Sequence, residues 1–414
     1  MHLFTWIFLA LLAATVITRF WLSYRQARHI EQHRDAVPEA FAARVSLAEH
    51  QKAADYSTTK IRLGRLSLAW ETVWLLLWTL GGGLSLVAAW WTGFGWSPLT
   101  TGIAVIISMA ILMSLLDTPF SLYSTFVVEQ RFGFNKMTLR TWLSDLMKSA
   151  ALMLVIGVPL VAAILWLMDQ AGAYWWIYAW GLWTGFSLLM IWAYPAFIAP
   201  LFNEFSPLED ESLRQRIDNL LSRCGFKSQG VFVVDGSRRS AHGNAYFTGF
   251  GNNKRIVFYD TLLESLDENE VEAVLAHELG HFKRNHIKKS LLLSIAITFG
   301  GFALLAWLMQ SAWFYSALGV TQNTTYNALL LFMLILPVFT YFISPLFSWM
   351  SRKHEFEADD FARQQSDYKA LISALVNLYR ENASTLTPDP VHSMFYDSHP
   401  PASIRIAHLQ TREA

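Results

Sequence analysis

The first chemical signal in the chain is His277-Glu278-Leu279-Gly280-His281, two imidazoles four positions apart around a carboxylate. At 3.6 residues per turn, helical positions four apart share a face. Both imidazoles can then reach one ion. The donor type suits Zn2+, which accepts neutral imidazole nitrogen and needs no redox chemistry. Glu278 lies about 100° round the same helix. From there it can take a proton from a metal-activated water without being a ligand, which is the chemistry of a hydrolase that attacks carbonyls. The same pattern also arises as two surface histidines on an ordinary helix, so the rest of a site must be found elsewhere.

A catalytic zinc takes about three protein ligands and keeps one position open. The single cysteine, Cys224, excludes a thiolate-built site, so the third ligand must be His, Asp or Glu. Residues 351–362, "SRKHEFEADDFA", supply candidates. Glu355 and Asp359 are four apart and share a helix face. The pair reads as Glu355 for third ligand and Asp359 for the acceptor that orients a ligand imidazole. A solvated acidic helix face has the same spacing. Glu357 and His354 compete for the ligand role. Glu357 stands about 200° round from Glu355, so those two cannot serve one site.

The segments that must position these residues are unusually apolar. Of 414 residues, 53% are hydrophobic and 15% charged, against about 25% charged in ordinary soluble proteins. This composition specifies a mainly α, polytopic membrane protein. The net charge of +0 gives no reason to expect a nucleic-acid partner. Apolar stretches long enough to span a bilayer fall at about 3–23, 66–92, 100–122, 149–169, 174–198, 289–312 and 326–349. The first lacks a basic leader and a small-residue cleavage site, so it reads as a membrane helix and not a signal peptide.

Lys- and Arg-rich connections alternate with connections that have neither. The positive-inside rule then gives an N-terminus outside, seven spans and a C-terminus in the cytoplasm. Residues 1–206 form a membrane region with five spans. Residues 207–414 form a second region that carries the candidate metal ligands and includes spans six and seven. Those two spans make a hairpin, which brings the helix before the sixth and Glu355 after the seventh to one membrane face. Water must reach such a site, so the spans should enclose a polar chamber. Glu71 and Asp117 are candidates to face it, or to pair between helices.

Within the polar part, Gly230–Val234 and Arg255–Tyr259 read as strands bounded by turn signals that include Gly251-Asn252-Asn253. Residues 208–224 read as an amphipathic helix. Residues 267–288 read as a helix starting near Asp267, with Glu268, Glu270 and Glu272 at its positive end.

Further blocks extend the pattern: "FVVEQRFGFNKMT" at 126–138, "YPAFIAPLFNEFSPL" at 194–208, "DGSRRSAHGNAYFTGFGNNKRIVFYDTLL" at 235–263 and "DPVHSMFYDSHPPASIRI" at 389–406. Together with "HELGH" and "HEFEADDFA" they make nearly the whole chain resemble the zinc-dependent CAAX prenyl protease type 1 family of membrane endopeptidases. The resemblance implies seven transmembrane helices forming a chamber, capped on the cytoplasmic side by an α+β zincin-like protease domain of the gluzincin type. It implies one Zn2+ per chain, bound by His277, His281 and Glu355, with Glu278 as base and Asp359 behind the ligands. His399 and Arg405 would lie near the reacting carbonyl. His399 would donate to the developing oxyanion; Arg405 would orient His399, the third-ligand helix or a substrate carboxylate. Asn244, Ala245 and Tyr246 match a strand beside the cleft that would bind an extended peptide by strand addition.

The implied partners are membrane lipid and a peptide or protein substrate, with C-terminal CAAX-type processing of prenylated tails as the first reading. A broad-specificity quality-control protease is the alternative. An inactive scaffold with the same fold is another, although it would be expected to lose Glu278 or a ligand. The membrane would be a bacterial inner membrane or an endoplasmic reticulum membrane.

Overall fold

The computed structural model describes residues 2–248 and 253–411. Helices Leu3–Gln32, Pro98–Phe132, Leu139–Gln170, Gly172–Phe202, His286–Met309 and Thr325–Gln365 are each long and apolar enough to cross a bilayer. Leu47–Trp78 and Gly83–Thr92 form a seventh crossing, bent by 50° at its break. The span expected at 66–92 is therefore not straight. The chain breaks at Thr79–Gly82, where Gly82 takes φ +76°, a conformation open to glycine at little cost.

Several helices run well past their apolar stretches, the first to Gln32 and the last to Gln365. Hydropathy marks only the part in lipid; polar residues continue a helix until a breaker stops it. The last crossing contains a short turn at Tyr341–Ile343 and then continues as Ser344–Gln365, the segment that carries Glu355.

The spans do not pack as a solid bundle. Leu139–Leu152 buries no residue, and only 6% of the most apolar window of Gly172–Phe202 is buried. A solid bundle would bury a continuous stripe on every helix. One apolar core does join all seven crossings, through Phe8, Leu84, Val105, Leu165, Leu305 and Leu331 among others. Its members sit in the half of each span remote from His286. A cavity of about 350 Å³ opens below it, lined by Arg19, Glu71, Asp117 and Tyr341 among apolar side chains. Glu71 fills both expected roles: it faces this cavity and lies 3.8 Å from Arg19 of the first helix.

The polar part is built on a mixed sheet of β1 (Phe205–Pro207), β2 (Lys227–Val234), β3 (Ala245–Thr248) and β4 (Asn253–Tyr259), in the order β1-β2-β4-β3. β2 and β4 are parallel; the other pairs are antiparallel. The two expected strands are found, each starting a few residues early. Gly251 and Asn252 of the expected turn lie outside the described residues. Helix Glu211–Cys224 and helix Glu268–Lys283 pack on the sheet through Ile217, Leu220, Ile256, Phe258, Leu275 and Leu279.

Helix Glu268–Lys283 starts as expected. Asp267 accepts from the backbone of Asn269 and Glu270, and Glu270 bonds back to the Asp267 amide, a reciprocal cap that satisfies the first free donors. Its end differs from the expected 288. Asn285 takes φ +57° and breaks the helix, and a new helix starts at His286 as the sixth span.

This capped helix crosses Ser344–Gln365 at backbone contact. A Cβ on Gly280 would lie 2.9 Å from Ala358 Cα and 3.1 Å from its carbonyl oxygen. Gly280→Ala should therefore push the helices apart and cost about 1–3 kcal/mol. Gly300→Ala, where a Cβ meets nothing within 4 Å, should be neutral or slightly stabilising. Thermal unfolding in detergent compares the two; equal midpoints would contradict the crossing.

Candidate active site

The helix crossing brings three side chains together. His277 Nε2 lies 3.3 Å from Glu355 Oε2, and His281 Nε2 lies 3.4 Å from Glu355 Oε1. The two Nε2 atoms are 3.3 Å apart. His277 and Glu355 are buried, and His281 is partly buried. One donor atom from each of the three falls within 4.8 Å of the others.

The hydrogen bonds behind these atoms test whether a metal fits. His277 Nδ1 is 2.8 Å from Asp359 Oδ1. A carboxylate accepts, so Nδ1 carries the proton and Nε2 presents a lone pair to the centre. Glu355 Oε2 is buried there without a hydrogen-bond partner. Lone pairs and a carboxylate converging in a buried space favour a cation between them. Two imidazoles and one carboxylate are donors that hold a metal ion, so the residues fit one. Burial and the nearby Arg405 guanidinium push the His277 imidazole towards its neutral form. Asp359 and Glu355 more than reverse this and hold its pKa up at about 9, which marks how strongly the pocket attracts positive charge.

The helix Ala402–Thr411 supplies the next layer. Arg405 is buried; its Nε donates to Asp359 Oδ2 at 2.8 Å, and its Nη1 lies 3.6 Å from Glu355 Oε2. Its guanidinium turns towards Asp359 and Glu355, with Nη2 also 3.2 Å from His277 Nδ1, rather than outward into the cleft. His399, at the exposed turn before that helix, holds Nε2 3.3 Å from Glu355 Oε1, while Ser398 Oγ lies 3.0 Å from its Nδ1. Glu278 is partly buried, and its charge acts on His399. Every expected centre residue, from His277 to Arg405, thus gathers at one place.

The remaining expected residues lie on the sheet. β3 is the edge strand and pairs with β4 alone among the described residues. Asn244 precedes it and accepts from the Tyr259 amide at 2.9 Å. Tyr246 lines a cavity of about 990 Å³ with Arg255, Tyr259 and Asn203, between the sheet and the helix Gly172–Phe202.

The competing ligands stand one layer out. Glu357 Oε2 is 3.0 Å from His286 Nε2, and His354 stacks on His286 with ring centroids 4.0 Å apart. Neither belongs to the converging donor set. Gly280 and His286 escaped the sequence reading. The role of Gly280 depends on which helix crosses it, and that of His286 depends on the break at Asn285.

Comparison with known proteins agrees with this architecture. Residues 26–204 match a family described as the CAAX prenyl protease N-terminal region with five membrane helices, and residues 207–413 match peptidase family M48. A CAAX prenyl protease 1 homolog of Arabidopsis thaliana is 42% identical over 294 residues, covering 70% of this chain and 69% of that one. CAAX prenyl protease 1 of Saccharomyces cerevisiae is 36% identical, covering 73% and 70%. Among solved structures, Ste24p of S. mikatae superposes with a TM-score of 0.91 at 30% identity, covering 99% of each chain. These matches favour the CAAX protease reading over the quality-control and scaffold alternatives. With hollow membrane helices, a metal-type donor set and relatives aligned over most of its length, the chain belongs to peptidase family M48, as an integral membrane metalloendopeptidase of the CAAX prenyl protease type.

Proposed function

We propose that the metal is Zn2+, bound by His277, His281 and Glu355, and that the protein trims the C-termini of prenylated CAAX-type substrates. The observation that carries the metal assignment is the convergence of the His277 and His281 Nε2 atoms on the buried Glu355 carboxylate, whose Oε2 has no hydrogen-bond partner. Two imidazoles and a carboxylate leaving a fourth position free is the donor set of hydrolytic zinc. When bound, zinc supplies a Lewis acid that acidifies water and polarises a carbonyl.

This chain's residues do the rest. Glu278 takes the proton of the attacking water and returns it to the leaving amine. His399 donates a hydrogen bond to the carbonyl oxygen as it gains negative charge. Asp359 fixes the tautomer of His277, and Arg405 holds Asp359 and Glu355 in place. Of the three roles the sequence allowed Arg405, orientation of the third-ligand helix is the one its contacts support. Asn244, Ala245 and Tyr246 present the open edge of β3, where a peptide backbone adds as a further strand.

Residues 1–206 act as the membrane region and 207–414 as the protease domain. The alternation of basic connections supports the N-terminus outside and the protease domain on the cytoplasmic side. The CAAX substrate class rests on the printed names of the relatives, and a hollow span region suits a lipid-bearing tail. Membrane lipid is the surrounding partner.

Two experiments test the reading. Glu278→Gln should lower cleavage of a farnesylated CAAX peptide by about 10²–10⁴-fold while wild-type zinc content is kept. Unchanged turnover would remove Glu278 from the mechanism. The unlipidated peptide should be cleaved far more slowly by wild type; equal rates would remove the prenyl requirement. Separately, Arg405→Ala leaves Asp359 buried without its cation. It should cost about 3–5 kcal/mol and lower zinc retention, read by unfolding midpoint and metal analysis.

A further inference from the structure

Each converging imidazole has a second nitrogen that needs a partner. For His277 that partner is Asp359. For His281 no carboxylate among the described residues bonds to Nδ1. The atom that faces it, at 3.1 Å, is Nδ1 of His286. Two imidazole nitrogens at that distance bond only if one carries a proton and the other does not. The tautomer is decided on the far side of His286, where Nε2 lies 3.0 Å from Glu357 Oε2. A carboxylate accepts, so Nε2 of His286 carries its proton and Nδ1 presents a lone pair. His281 then donates from Nδ1, which leaves its Nε2 bare and aimed at His277 and Glu355.

We propose that His286 and Glu357 are positioning residues for the metal centre, a carboxylate–imidazole relay that fixes the tautomer and ring orientation of His281. This rests on the metal-site reading above. The imidazole of the relay is buried, with His286 3% exposed and the His354 ring stacked over it at 10° between planes, while Glu357 is partly exposed. It also depends on the helix break. Five residues along an unbroken helix, His286 would stand about 140° round from His281 and face away. Asn285, at φ +57°, ends one helix and starts the next, which folds His286 back against His281. Asn is among the few non-glycine residues that adopt this conformation readily. The relay also joins the ligand to both spans of the hairpin, because His286 opens the sixth and Glu357 lies on the helix that continues the seventh.

Full-length protein in detergent, loaded with zinc, tests this by the rate of zinc release to a chromogenic chelator. Outer partners of metal-bound histidines change metal affinity by about 10–100-fold. His286→Gln keeps a group at the Nε2 position for Glu357 but none at Nδ1, and should release zinc faster by that factor. His286→Asn keeps an acceptor at the Nδ1 position and should stay closer to wild type. Asn285→Gly should match wild type, while Asn285→Ala should release faster. A purely structural His286 would make Gln and Asn equally harmful, which overturns the relay, as does wild-type release from His286→Gln. His281→Ala separates the two readings. If it too retains zinc, the metal site itself is wrong; if it loses zinc while His286→Gln does not, only the relay fails.

Discussion

The structure depends on one contact, the crossing of the helix Glu268–Lys283 over Ser344–Gln365 at Gly280 and Ala358. The three metal-type donors found among the described residues come from these two helices. Two imidazoles at one helical spacing can offer their nitrogens to a common point, but the third donor must arrive from a second helix at backbone distance. Side chains larger than hydrogen at position 280 hold that helix off. The two helices lead into adjacent membrane crossings, so the contact also fixes where the hairpin of spans begins. Around it the charges are balanced closely. Glu355 and Asp359 are two buried carboxylates, and Arg405 is one buried guanidinium. Together they leave one negative charge in excess, which favours a cation among the ligands, and an uncompensated buried charge is among the costliest features a fold can carry.

What the sequence revealed follows from which interactions are local. The spans were legible because lipid demands long apolar runs. His277, Glu278 and His281 were legible because the helical repeat alone places them. Glu355 was legible through topology, since the hairpin delivers it to the right face, and the helical repeat showed only that Glu355 and Glu357 could not both serve one site. The bend at Gly82 and the break at Asn285 were not legible. Both are single residues at positive φ inside otherwise helical sequence, and neither Gly nor Asn there is a decisive signal. An unbroken helix over 267–288 sets His286 on a different face from His281, so the contact between them could not be seen without the break at Asn285. The roles open to Arg405 could be narrowed only by seeing that its donors turn towards Asp359.

The first and second ligand imidazoles are held in different ways. His277 is backed directly by Asp359, which Arg405 in turn holds. His281 is backed by a neutral imidazole and only then by a carboxylate. A direct carboxylate polarises an imidazole more than a relayed one does, since the interaction weakens with distance. The two nitrogens therefore differ as donors. The less polarised one belongs to the residue nearest the membrane, at the end of the helix from which the sixth span departs.

A hydrolytic centre beside a bilayer needs water on the protein side of the lipid. The membrane region meets that need by leaving its spans unpacked where they approach the site. The core that unites all seven crossings is confined to the remote half. Below it lie Arg19, Glu71 and Asp117, in a cavity otherwise walled mostly by apolar side chains. Charged groups at that depth are costly in hydrocarbon and are kept where they face a wet interior or pair with each other. Arg19 and Glu71 do pair, but at 3.8 Å and with both side chains well exposed, and Glu71 also accepts from Ser67 Oγ at 2.7 Å. Asp117 shares the same cavity. These three residues are what a water-filled interior requires of its walls, and they reconcile an apolar chain with a reaction that consumes water.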